Sequence, residues 1–139
     1  MTPHQRQSAL IARYAILPDP HERLAALTGR RSPLPPLPPE ERTEAALVPG
    51  CVSRVWLRGT MEAGRCRFRM HAESALVRGL AAVLCELYDD ATPGDILATP
   101  PEIFEALGIA AHLTPTRLNG LAHIRAEILA FAQSHLPPA

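Results

Sequence analysis

From Gln5 to Ile16, and on to Leu17, the apolar residues Ala9, Leu10, Tyr14 and Leu17 recur at spacings of one, three and four, the pattern of a short amphipathic helix that Pro18 closes. Asp19 starts a second predicted helix. Pro20 takes its first position, where no amide donor is needed, and Glu22 stands three residues past the cap. Leu24 and Leu27 face the core, and Gly29 is the stop. Residues 30–39 read RRSPLPPLPP. Prolines at this density lack the amides for helix or ladder and favour an extended polyproline II path, so the segment is expected to wrap the surface as a rigid connector rather than enter the core.

Beyond it the period falls to two. Arg65, Arg67, Arg69 and His71 alternate with Cys66, Phe68, Met70 and Ala72, which predicts a strand with one wet and one buried face. Val52–Arg58 is the expected partner strand, with Gly59–Gly64 closing the hairpin. If the wet faces coincide, Arg54, Arg58, Arg65, Arg67 and Arg69 line one side of the sheet, read as a solvated, edge-protecting face in preference to a docking surface for an acidic partner. The helical period then returns. Ser74 precedes the broad stripe Ala75, Leu76, Leu80, Val83, Leu84 and Leu87, and Thr92, Pro93 and Asp95 open a short helix through Leu97. Pro101–Leu107 makes a further turn or two before Gly108. Thr114 and Pro115 then start a long C-terminal helix with Leu121, Ile124, Ile128 and Phe131 as its seam. Helices, a small antiparallel meander and helices again give an α+β fold in two layers, read as one domain over residues 1–139 without internal repeats.

Charge narrows the chemistry. Fourteen arginines balance fourteen acids and there is no lysine, which removes Schiff-base and P-loop chemistry. A net charge of zero leaves no basic footprint for a nucleic-acid backbone, so no nucleic-acid partner is expected. No apolar run reaches the roughly 18 to 20 residues that cross a bilayer, and Met1–Leu17 lacks the pattern of a signal peptide. No membrane partner and a cytoplasmic location are the expectation. Three cysteines without CxxC spacing argue against a disulfide framework and a closed zinc site.

The thiols are not equivalent. Cys66 shares the inward face with Phe68 and Met70, and Cys85 follows Leu84 within a helix, so both read as small apolar core residues. Cys51 follows Pro49 and Gly50, whose turn chemistry places it on a loop or at the mouth of a strand. A thiol there has the freedom that sulfur exchange requires, because the attacking thiolate must align with a sulfur in another site. A loop cysteine that merely packs is the alternative from local sequence.

The surrounding residues add to this reading. Residues 48–57, VPGCVSRVWL, resemble the VxGCxSxVW element of the SufE family of sulfur-acceptor proteins. Residues 73–80, ESALVRGL, resemble the family's acidic-Ser-Ala helix start. Leu87-Tyr88 with Thr92-Pro93 and Asp95-Ile96 is similar to its next connection, and residues 112–121, HLTPTRLNGL, are similar to its HL(T/S)PSR motif. With ILPDPHERLAAL near the N-terminus, the likeness runs in order over nearly the whole chain.

The resemblance implies a SufE/IscU-like fold and a persulfide carrier with no independent turnover. Such proteins take sulfur from the active-site cysteine of a SufS-type cysteine desulfurase, stimulate it, and pass the sulfur to an iron-sulfur scaffold such as a SufBCD complex. Pyridoxal phosphate belongs to the desulfurase, and no cofactor is expected on this chain. By the motif, Cys51 is the acceptor thiol, tucked at rest toward an apolar cavity. Arg117 falls at the motif arginine, where two roles are open: stabilising a thiolate or persulfide, or holding the loop. A plain helix start is the alternative. His112 is a candidate proton carrier, with backbone bonding the simpler role. Val52 and Arg54 replace glutamines frequent in the family, which bears on partner preference.

Other readings stand beside this one. A paralogous CSD-type desulfurase is an alternative partner, an IscU-like scaffold needs several converging thiolates, and a cysteine hydrolase would pair Cys51 with His112 or His123. The expected assembly is a monomer or weak homodimer.

Overall fold

A computed structural model describes residues 1–138. The first helix, α1 (Pro3–Ala15), begins earlier than its apolar spacing predicts. Thr2 forms a capping box with Gln5, accepting from the Gln5 amide at 3.1 Å while the Gln5 side chain accepts from the Thr2 amide at 2.9 Å. Helix α2 (Pro20–Gly29) starts as predicted, although the Asp19 carboxylate takes the nearer His21 amide. Both helices pack on α3 (Ala75–Tyr88), capped by Ser74.

Strands β1 (Val55–Glu62) and β2 (Arg65–Ala72) form an antiparallel pair with Val55 opposite Ala72 and Glu62 opposite Arg65. The second strand matches its predicted bounds. The first lies three residues later than expected at its start and includes Gly59–Glu62. The turn is only Ala63-Gly64, both at positive φ, which suits a two-residue hairpin. Gly59 is a packing glycine rather than a turn glycine, because a Cβ there would lie 2.7 Å from the Phe131 ring. The start is displaced because Arg54 is held by Glu73. Its amide donates to the Glu73 carboxylate at 3.1 Å and its carbonyl accepts from the Glu73 amide at 3.0 Å.

The outer edge of β2 is covered, which removes an aggregation-prone ladder. Cys66 exchanges two backbone hydrogen bonds with residues 90 and 91, the Phe68 amide donates to the Asp89 carboxylate at 2.8 Å, and the Met70 carbonyl accepts from Leu37. That last bond corrects the expectation for the connector. Residues 30–39 do not merely wrap the surface: Leu37, with a pair of prolines on each side, docks on β2 through its amide and is 1% exposed.

The register confirms that Arg58, Arg65, Arg67 and Arg69 share a sheet face, whereas Arg54 precedes the strand. That face is neutralised locally. Arg58 pairs with Glu41, and the buried Asp89 carboxylate holds Arg69 at 3.1 Å and Arg67 at 3.3 Å.

Helix α4 (Pro93–Ala98), the single turn α5 (Ile103–Ala106) and the long α6 (Pro115–Ser134) complete the second layer. Helix α6 buries Leu121, Ile124, Ile128 and Ala132. Phe131, predicted for this seam, is half-buried and meets Phe68 edge-on, with ring centroids 5.6 Å apart. Two layers, with α3 and α6 meeting over the sheet, are the α+β architecture expected.

Candidate functional site

The first turns of α3 and α6 converge on the segment entering β1. Between them lies a cavity of about 340 Å³ lined by Cys51, Ser53, Val55, Ser74, Val77 and Arg117, among others. Both helix starts are closed by their own side chains: Ser74 accepts from the Val77 amide at 3.3 Å and Thr114 from the Arg117 amide at 3.2 Å. The positive ends of two helix dipoles therefore border the cavity, an environment that favours an anion there.

Cys51 sits half-buried on this wall, and its thiol points to the Gly120 carbonyl of α6 at 3.7 Å. Burial pushes the thiol above its ordinary pKa, so the resting group is the neutral, poorly nucleophilic form. The preceding turn depends on Gly50. Its φ is +83°, which a side chain would strain, and a Cβ there would lie 2.6 Å from Nε2 of the exposed His123 and displace its ring. Immediately after Cys51, Val52 is 86% exposed. Val52 stands at the rim where the cavity meets solvent.

Two of the sequence-derived candidates meet. Arg117 shares the cavity with Cys51, its side chain exposed and in no ion pair among the described residues. His112 does not line this cavity. Its ring stacks on His21 with centroids 4.0 Å apart, because the turn at Ala110–His112 precedes the α6 cap and directs it toward α2. The imidazole at the loop is His123, one turn beyond Gly120 on α6. Sequence reading gave it a place only beside His112; the helical spacing of 120 and 123 is the signal that puts it at this loop.

Ser53 is the serine of the VxGCxSxVW element, to which the sequence assigns no role. Its hydroxyl oxygen is buried and has no hydrogen-bond partner, which is uncommon for a native polar atom. Cys66 and Cys85 lie elsewhere in the core, 0% and 1% exposed, with burial driving the Cys85 pKa up to about 12. No cluster of three or more histidine, cysteine or acidic side chains among the described residues is arranged to hold a metal ion, as an iron-sulfur scaffold would need. No described helix is long and apolar enough to cross a membrane.

A larger groove of about 800 Å³ runs beneath the connector, lined partly by Arg31, Arg69, His71 and Arg78. None of the candidate site residues lies in it. The chemistry concentrates instead at the smaller cavity.

Comparison with known proteins agrees with the loop's sequence. Residues 8–132 match the family model described as SufE, an Fe-S metabolism associated domain. The chain belongs to the SufE family. A SufE-like protein of Synechocystis is 32% identical over 115 residues, covering 83% of this chain and 72% of that protein. The sulfur acceptor protein CsdE of Escherichia coli is 37% identical over 99 residues, covering 70% of this chain and 67% of its own. A chloroplastic quinolinate synthase of rice is 37% identical over 118 residues, 84% of this chain but 17% of the rice protein, so the SufE-like unit there is part of a longer chain. A solution structure of a hypothetical protein from Thermus thermophilus superposes with a TM-score of 0.77 at 24% identity over 97% of this chain and 98% of that one, which supports the fold.

Proposed function

We propose that this SufE-family chain is a sulfur acceptor and activator that takes persulfide sulfur on Cys51 from a SufS-type cysteine desulfurase and delivers it to an iron-sulfur scaffold such as a SufBCD complex. The observation that carries this reading is the setting of Cys51: alone among the three thiols it lies outside regular structure, at a cavity wall, between a glycine at positive φ and an exposed valine. The transfer is redox-neutral. The Cys51 thiolate attacks the outer sulfur of the donor's persulfide, the donor's S–S bond breaks, and its thiolate leaves while Cys51 carries the new persulfide. The proton lost from Cys51 passes to solvent.

The raised pKa fits a carrier that must survive between encounters. A neutral thiol resists oxidation at rest, and ionises more readily once the loop leaves the cavity. When the loaded loop closes again, Arg117 and the two helix starts that border the cavity favour the persulfide anion. The chain supplies no turnover of its own, and pyridoxal phosphate stays with the desulfurase. The exposed side chains of Val52 and Arg54 flank the acceptor, so they meet the partner first.

A second reading has support from the match to the sulfur acceptor protein CsdE: the donor is a paralogous CSD-type desulfurase. One experiment treats both. The protein is incubated with each desulfurase, pyridoxal phosphate and free cysteine, and intact mass is recorded for wild type, Cys51→Ser and Cys66→Ser. The expected result is one reductant-sensitive sulfur atom gained by wild type and Cys66→Ser but not by Cys51→Ser, faster with the true donor. No gain with either active desulfurase overturns the acceptor reading.

A further inference from the structure

The Ser53 hydroxyl oxygen is buried and without a hydrogen-bond partner, on a residue that lines the Cys51 cavity. Leaving such a group unpaired costs about 1–3 kcal/mol, so a resting structure that keeps it has a hydrogen bond waiting to be made. Of the other hydroxyls on the cavity wall, Ser74 and Thr114 are fixed in place as cap acceptors for the Val77 and Arg117 amides, and Thr116 is exposed on the first turn of α6. Among these hydroxyls that of Ser53 is the one both buried and without any partner, and it stands two residues from the reacting thiol.

We infer that Ser53 is the residue that holds the added sulfur, donating its hydroxyl hydrogen to the Cys51 persulfide inside this cavity. A persulfide extends the cysteine side chain by one S–S bond of about 2 Å, a length the cavity of about 340 Å³ accommodates. The outer sulfur is an acceptor in either protonation state and a better one as an anion, to which hydrogen bonds are stronger. The loaded protein thus makes a bond that the resting protein lacks, and the difference favours sulfur residing on Cys51 rather than on the donor. Val55 and Val77 on the same wall give the sulfur an apolar surface to lie against.

This inference rests on the acceptor reading, and its test separates the two. Wild type, Ser53→Ala, Ser53→Thr and Cys51→Ser are equilibrated with a small excess of sodium tetrasulfide. The Cys51 thiolate takes one sulfur atom from the tetrasulfide dianion, leaving trisulfide, so no desulfurase docking enters the measurement. Intact mass gives the loaded fraction, and dilution into a thiol-reactive electrophile gives the lifetime. The expected loss of loading equilibrium for Ser53→Ala is about tenfold, the worth of one hydrogen bond to a charged group, with Ser53→Thr recovering most of it. Thermal unfolding of the unloaded protein discriminates further: a structural serine would lower the melting temperature when replaced, whereas removing an unpaired buried hydroxyl leaves it unchanged or higher. Equal loading of wild type and Ser53→Ala overturns the inference and leaves the acceptor reading intact. Absence of tetrasulfide loading in a wild type that a desulfurase does load overturns the inference and leaves the acceptor reading intact, and absence of loading by either route removes both.

Discussion

Half-buried Cys51 and fully buried Cys66 both have a pKa raised by burial, and they differ in what the backbone does around them. Cys66 is pinned on the outer edge of β2 by the Ala91 carbonyl and the Asp90 amide, each at 2.8 Å. Its sulfur rests 3.7 Å from the Met61 sulfur. Cys51 belongs to a segment with no ladder: its thiol has one weak contact with Gly120, and regular pairing begins only at Val55. Burial alone makes a thiol unreactive. Burial on a segment that opens without unfolding the rest makes it unreactive until something opens it, because local openings cost far less than global ones.

The strongest test of that contrast is a chemical one. With limiting iodoacetamide on the native protein, Cys51 should be alkylated about a thousandfold faster than Cys66 or Cys85, whose exposure requires the global opening of several kcal/mol. In denaturant the three rates should converge. The sign of the pH dependence follows from the raised pKa: fewer Cys51 thiols are ionised at neutral pH than in a solvated cysteine, so the native rate should climb through a midpoint above the ordinary thiol value. Peptide mapping by mass spectrometry reads every site at once. Equal native rates for Cys51 and Cys66 would break the comparison.

A smaller effect separates the thiols by stability. In Cys66→Ser the new hydroxyl enters a core that offers it no partner, and the expected cost is about 1–3 kcal/mol by urea unfolding. Cys85→Ser should cost less, because a serine within α3 can donate to the carbonyl four residues earlier. Cys51→Ser, at a half-buried site, should stay within about 0.5 kcal/mol. A Cys51→Ser variant as unstable as Cys66→Ser would mean that the loop is part of the core.

Much of this difference is visible in the sequence. The alternation over residues 65–72 places Cys66 beside Phe68 and Met70, and Gly50 marks the turn before Cys51. Local pattern succeeds where the determinants are local: caps at Asp19, Ser74, Thr92 and Thr114, and the period of β2. It fails where a distant partner decides. Gly59 reads as a turn residue until Phe131 is seen above it, and the connector reads as a surface strap until Leu37 meets the Met70 carbonyl. His112 belongs to a motif yet faces His21, and Ser53 belongs to another whose spelling does not tell that its hydroxyl is buried without a partner. Side-chain direction after a turn and the satisfaction of one hydroxyl are tertiary facts, and no periodicity encodes them.

The finest test concerns what keeps the loop closed. The His123 ring fills the space that glycine leaves at position 50, so the turn carrying Cys51 rests on α6 at residues 120 and 123 together. His123→Ala removes one of those supports without touching the thiol or the core. The side chain is solvent-exposed, so global stability should change by less than about 0.5 kcal/mol. Local opening should become easier, and the expected gain in Cys51 alkylation rate is about threefold to tenfold at constant pH, corresponding to the loss of a modest packing contact. Cys66 and Cys85 should keep their wild-type rates. His123→Phe replaces the ring without its nitrogens, and recovery of the slow Cys51 rate in that variant would assign the effect to packing under Gly50 rather than to proton exchange with the thiol.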